Sequence, residues 1–159
     1  FKGPRFVDSL DNYVVKTLKA GDTLHSIGTN EANFGKYASA ANNKKFMQHV
    51  LKNNVQCQLI VPGGFRDFGS DPASYRFLSP DVIGQIYFTI YHDYLTMIDW
   101  HEPPKAIFIR SKPIAETYLR QFKFLWNLAK EPPADQLSQW RHTWKETYLP
   151  KIFPAGGKH

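Results

Sequence analysis

The sequence contains one cysteine, Cys57, which excludes an internal disulfide and makes a cytoplasmic setting the default expectation. Its surroundings, VQCQLIV, suggest a small residue inside a strand. No apolar run approaches the ~20 residues that a bilayer span needs, and the opening FKGPRFVDSL is not a signal peptide, so no membrane partner is expected. Walker and Rossmann phosphate loops are absent, since VPGGF is too short and lacks a lysine, and there is no GxSxG elbow. Histidines 25, 49, 92, 101 and 142 show none of the short spacings of a zinc site, and a lone cysteine offers no thiolate pair. No metal or other cofactor is therefore expected. The first residue is Phe rather than Met, which suggests a fragment or a processed piece.

What is present is aromatic and basic. At 159 residues the chain is about one domain long and can bury roughly 70% of its unfolded surface. Aromatic residues make up 15% of it, so Phe, Tyr and Trp carry much of the core. Twenty basic residues against 14 acidic ones give a formal charge of +6, which favours anionic partners such as nucleotides or nucleic acid. The basic residues are scattered, however, and a merely soluble basic surface accounts for them equally well.

Hydrophobic periodicity predicts a helix over PRFVDSLDNYVVKTLKAGD, a strand at TLHSIGTN and a single second helix from Asn33 to Asn54. VQCQLIVPGG then reads as an interior strand. A strand, helix, strand order with so long a crossover implies a parallel pair with a right-handed connection. GGFRDFGSDPAS is a loop by composition, and YRFLS, the two halves of IGQIYFTIYHDYLTMIDW and KAIFIR supply further strands. The next helix has Ser111 as its cap and Pro113 in its first turn, and its Tyr118, Phe122 and Trp126 form a ladder suited to packing on a sheet. After EPPADQ, a last helix carries Trp140, Trp144 and Tyr148, either to cap the domain or to meet a partner. The fold class is α/β: a mixed, mostly buried sheet of about six strands flanked by helices, with an extra C-terminal helix.

Ligands in such sheets bind at loops that follow parallel strands. Those loops place Asn30 and Asn33, as amide donors and acceptors, and Arg66, as an anion partner, among the candidate ligand-binding residues. Arg110, closing the strand before the ladder helix, joins them. Each is also a residue type common on exposed loops.

The stretches IYHDYLTMIDW and KAIFIRSKPIAETYLRQFKFLWNLAK resemble the end of a phospholipase D-like domain. They resemble more closely the effector-sensing domain of TrmB-like transcription regulators, whose hairpin is followed by an acidic-Pro turn like HEPPKAIFI. The resemblance runs from Phe6 to Lys130. It implies a phospholipase D-like sensor domain over residues 1–130, with residues 131–159 as a helical extension. Enzymes of the phospholipase D family carry HxKxxxxD, in which the histidine attacks phosphorus and the lysine neutralises phosphate charge. Mapped here, His92 and Asp99 take the histidine and aspartate positions, but Tyr94 stands at the lysine. The Gly-Ser and Asn that follow the aspartate in the family are also missing.

Loss of a preorganised cation removes a few kcal/mol of transition-state stabilisation, roughly the worth of one such contact. The motif is therefore read as degenerate. His92 with Asp93 reads best as a tight hairpin corner, a site where Asp and His tolerate positive φ. A ligand-contacting His92 and a nucleophilic His92 stay open beside it. By resemblance the chain is a non-catalytic sensor for a small-molecule effector of unknown identity, homodimeric, and linked to DNA through a module outside the chain. The rival readings are a phosphodiesterase or nuclease using His92 and a nucleic-acid-binding module.

Overall fold

Phe6, Val7, Leu10 and Val14 recur at helical spacing and form the buried stripe of helix α1 (Phe6–Thr17). The computed structural model describes residues 1–28, 31–66 and 74–154 of the chain. Strand β1 (Thr23–Ile27) follows. The expected helix from Asn33 to Asn54 is two helices, α2 (Glu31–Tyr37) and α3 (Ala40–Lys52). The break is at Ser39, whose extended backbone (ψ 147°) starts a new helix and whose hydroxyl accepts from the Asn42 amide at 3.2 Å. Its own amide donates to Asp8 Oδ1 at 2.8 Å, which ties the start of α3 to α1. The Asn53-Asn54 stop holds, with Asn54 in the left-handed region at φ 50°.

The remaining elements are β2 (Gln56–Pro62), β3 (Tyr75–Leu78), the short α4 (Pro80–Ile83), β4 (Ile86–Tyr91), β5 (Tyr94–Asp99), β6 (Lys105–Arg110) and α5 (Lys112–Leu128). The six strands form one mixed sheet in the order β3-β2-β1-β4-β5-β6. β1, β2 and β3 are parallel, as the crossover length implied, and β4, β5 and β6 join antiparallel. Helix α4 was not legible in the sequence; a four-residue turn has too few positions to show a period. Ser111 stands at the N-cap of α5, but its side chain makes no cap bond, so the sequence expectation of a side-chain cap is corrected. The Ser111 carbonyl instead accepts from Ala115.

Alternation along the strands divides the core in two. On one face Leu24, Tyr91, Tyr94, Ile98 and Ala106 pack with Phe6, Leu10, Val14 and Val50 of α1 and α3. On the other, Ile27, Ile60, Ile90 and Leu95 pack under α5, where Phe122 is wholly buried. The α5 ladder behaves as the sequence implied. Tyr118 meets Phe88 edge-on at 5.6 Å, and Phe122 stacks on Trp126 at 5.6 Å. Arg76 lies over the Trp126 ring at 4.5 Å and donates to the Trp126 carbonyl at 2.8 Å, satisfying one of the helix's last carbonyls.

The C-terminal segment is less regular than the expected single helix. It comprises α6 (Ala134–Thr143), a π-helical turn at Trp144–Tyr148 and α7 (Leu149–Ile152). The inserted turn brings Trp144 and Tyr148 into a stack at 6.2 Å, with Trp140 beside Tyr148 at 5.2 Å. Trp140 packs on a small cluster of Leu59, Val61 and Tyr75, while Gln48 Nε2 donates to the Ile152 carbonyl at 2.7 Å. The tryptophan face thus covers the chain's own sheet. Both outer strands are partly covered as well, β3 by Lys130 and β6 by the backbone at Phe1 and Lys2.

Candidate functional site

The hairpin corner is where the sequence concentrated its suspicion. Tyr91 pairs with Tyr94, leaving His92 and Asp93 as a two-residue turn, and His92 adopts φ 48°. The imidazole Nε2 sits 2.7 Å from Asp22 Oδ2, an oxygen that also accepts from the Lys19 amide at 2.5 Å. No lysine or arginine among the described residues hydrogen-bonds to it. Tyr94, at the lysine position, is buried between Tyr91 (5.2 Å) and Phe108 (5.2 Å). Beneath it the Tyr91 hydroxyl bonds Thr17 Oγ1 at 2.8 Å, and burial raises that phenol well above its ordinary pKa.

Asp99 stands at the far end of β5, roughly 17 Å from the corner at strand rise. There it receives His101 at 2.6 Å and Lys105 at 2.9 Å. Hydrogen bonds from Lys105 and His101 hold its carboxyl far below the usual range. The mapped histidine and aspartate therefore lie at opposite ends of β5, His92 in the turn before it and Asp99 as its last residue.

The four candidate ligand residues that lie among the described residues, Asn33, Arg66, His92 and Arg110, do not form one site. His92 and Arg110 lie at the hairpin end of the sheet, and Arg110 Nε pairs with Asp93 at 2.9 Å while its guanidinium sits 5.6 Å from the Tyr94 ring. Asn33 and Arg66 lie beyond the opposite ends of β1 and β2. Asn33 is half-buried in α2. Arg66 is exposed and borders a cleft of about 500 Å³ shared with Asp135, Gln136, Gln139 and Trp140. Asn30 lies outside the described residues. The four described candidates thus fall into two separated groups, because the parallel strands and the hairpin open at opposite ends of the sheet.

A second feature is not apparent from sequence periodicity. Between the sheet and helices α1 to α3 lies a cavity of about 160 Å³. Its walls are mainly apolar, with Leu10, Val14, Phe34, Phe46 and Met47 facing Leu24, Cys57 and Leu59. Its floor is a row of hydroxyls. Ser26 pairs with Thr89, and Thr89 with Thr96, in register across three adjacent strands. Ser26 Oγ and Thr89 Oγ1 are 2.7 Å apart, and Thr89 also bonds the Tyr87 hydroxyl. Thr96 is 2% exposed, and its Oγ1 is buried without a hydrogen-bond partner.

At the rim of the cavity Asp11 accepts from Asn42 Nδ2 at 3.1 Å. Burial, reinforced by the neighbouring Asp8 and opposed by Asn42, pushes its carboxyl up to about 7. The sequence did carry a signal for this site: LHSI, YFTIY and YLTMI each hold one Ser or Thr within a largely apolar strand. Ser and Thr are ordinary in strands, and only the pairing register reveals that these three align on one inward face. Among the described residues no cluster of His, Cys, Asp and Glu could hold a metal ion, and no helix is long and apolar enough to cross a membrane.

No protein-family model and no curated protein matches the sequence. Among solved structures, the chain is similar to Nuc, a phospholipase D family member from Salmonella typhimurium. That match has a TM-score of 0.53 and 12% identity, covering 79% of this chain and 90% of that one. It is also similar to TrmBL2, an archaeal chromatin protein described as having a novel mode of DNA binding. Here the TM-score is 0.55 with 11% identity, covering 83% of this chain and 53% of that one. The chain spans about half the length of TrmBL2. At these identities the likeness establishes the fold, which is phospholipase D-like, related to that of TrmB-like proteins.

Proposed function

We propose that this chain, proceeding from its phospholipase D-like fold, is a non-catalytic sensor domain of a transcription regulator. It takes a small-molecule effector, works as a homodimer and meets DNA through a module outside this chain, with residues 1–130 as the sensor domain and residues 131–159 as its helical extension. The observation that carries the reading is the surroundings of His92: its ring faces the Asp22 carboxylate at 2.7 Å, and a buried tyrosine fills the lysine position. A phosphoryl group arriving there meets negative charge where the chemistry needs a preorganised cation. The orphaned hydroxyl in the cavity supports the sensor half of the reading.

The test is hydrolysis of bis(p-nitrophenyl) phosphate by the wild-type chain and by His92→Ala. Equal background rates are expected. Turnover by the wild type that His92→Ala abolishes would replace this reading with a phosphodiesterase. The second reading, direct nucleic-acid contact by this chain, draws on the +6 charge and the likeness to TrmBL2. It requires DNA affinity that falls steeply as salt rises, and a salt-insensitive affinity argues against it.

A further inference from the structure

We propose that the cavity under α1 and α3 binds a small neutral aromatic molecule bearing one hydroxyl or ring N–H, its ring against Phe34 and Phe46 and its polar atom at Thr96 Oγ1. This deepens the sensor reading and rests on it for biological meaning. Binding itself is measured separately, so its failure is distinguishable from the appearance of hydrolysis.

Size comes first. A cavity of about 160 Å³ is close to the roughly 150 Å³ apolar cavity known to accept benzene, which sets the ligand at one ring or little more. Shape agrees, because Phe34, Phe46, Tyr75 and Tyr87 supply ring faces and edges for a flat guest. Polarity is set by the hydroxyl row. Ser26, Thr89 and Tyr87 bond one another, whereas Thr96 Oγ1 is buried with nothing to bond. A hydroxyl both donates and accepts, so it complements a phenolic O–H or a ring N–H alike.

Charge decides the rest. No lysine or arginine lines the cavity, which disfavours an anionic guest. Its one acidic group, Asp11, is already bonded to Asn42, and burial favours its neutral form, which disfavours an ammonium.

The chain has two methionines, and they form a built-in reporter pair. Met47 lines the cavity, while Met97 packs on the opposite face of the sheet under α5. With methyl-labelled methionine, titration with phenol followed by NMR is expected to shift the Met47 methyl saturably and leave Met97 in place. Toluene is expected to bind about tenfold more weakly for want of the hydrogen bond. Thr96→Val, shape-conserving and checked for folding by an unchanged Met97 signal, is expected to bring phenol and toluene within about twofold of each other, the preference resting on that one bond. The proposal is overturned if phenol gives no saturable shift at Met47, if Met97 shifts equally, if toluene, benzoate or benzylamine binds as tightly as phenol, or if Thr96→Val keeps the preference.

Discussion

Replacing Asp11 by Asn isolates the charge that α1 presents to the cavity rim. In the folded chain this carboxyl titrates near 7 rather than at 3.8, chiefly because burial disfavours its charged form. Between those values the folded chain holds a proton that the unfolded chain has released. Stability therefore falls as pH rises through the window from about 4 to about 7, and levels off above it. A shift of about three units corresponds to about 4 kcal/mol as an upper bound, and the residual water contact of a half-buried side chain lowers this to about 2–4 kcal/mol. Asn reproduces the protonated acid in shape, and its carbonyl can still accept from Asn42. Urea unfolding of both proteins at pH 4, 6 and 8 is the test, since titrating groups that do not interact with Asp11 cancel in the difference. Asp11→Asn is expected to match the wild type at pH 4 and to exceed it by about 2–4 kcal/mol at pH 8. Equal stabilities at pH 8, or a less stable variant, would refute a desolvated carboxyl at this position.

Three other substitutions probe separate parts of the architecture, each read by the same unfolding experiment. Gly28 has φ +78°, and an added Cβ would lie 3.1 Å from the Ile86 carbonyl oxygen, so Gly28→Ala is expected to lose about 2 kcal/mol or more. Phe122 is 0% exposed beneath α5, and Phe122→Ala is expected to lose about 3–5 kcal/mol. Thr96→Val removes an orphaned hydroxyl and is expected to gain about 1–3 kcal/mol without ligand, whereas a loss would mean that Thr96 is hydrogen-bonded after all.

The parts of the fold visible in the sequence were those with a strong period or a decisive residue. The apolar stripe of α1, the Tyr118-Phe122-Trp126 ladder of α5 and the Asn53-Asn54 stop all stand where periodicity placed them. The His92 corner was legible for the same reason, since two apolar runs flank a pair of turn-tolerant residues. What escaped was non-local. The break at Ser39 depends on Asp8, 31 residues away, and the π turn at Trp144 on packing that no helical period records.

The site was harder still. Ligands of an open α/β sheet lie at the C-terminal ends of its parallel strands. Half of this sheet is antiparallel, however, so His92 and Arg110 emerge at the other end from Asn33 and Arg66. The hydroxyl row crosses β1, β4 and β5, whose mutual register cannot be read from any one of them.

The non-catalytic claim is tested most directly by intact-mass spectrometry of the chain quenched during incubation with excess bis(p-nitrophenyl) phosphate. With Asp22 rather than a cation at the imidazole, the account predicts one unmodified species of 18.4 kDa. A phosphoryl adduct that maps to His92, and is missing in His92→Ala, would contradict it.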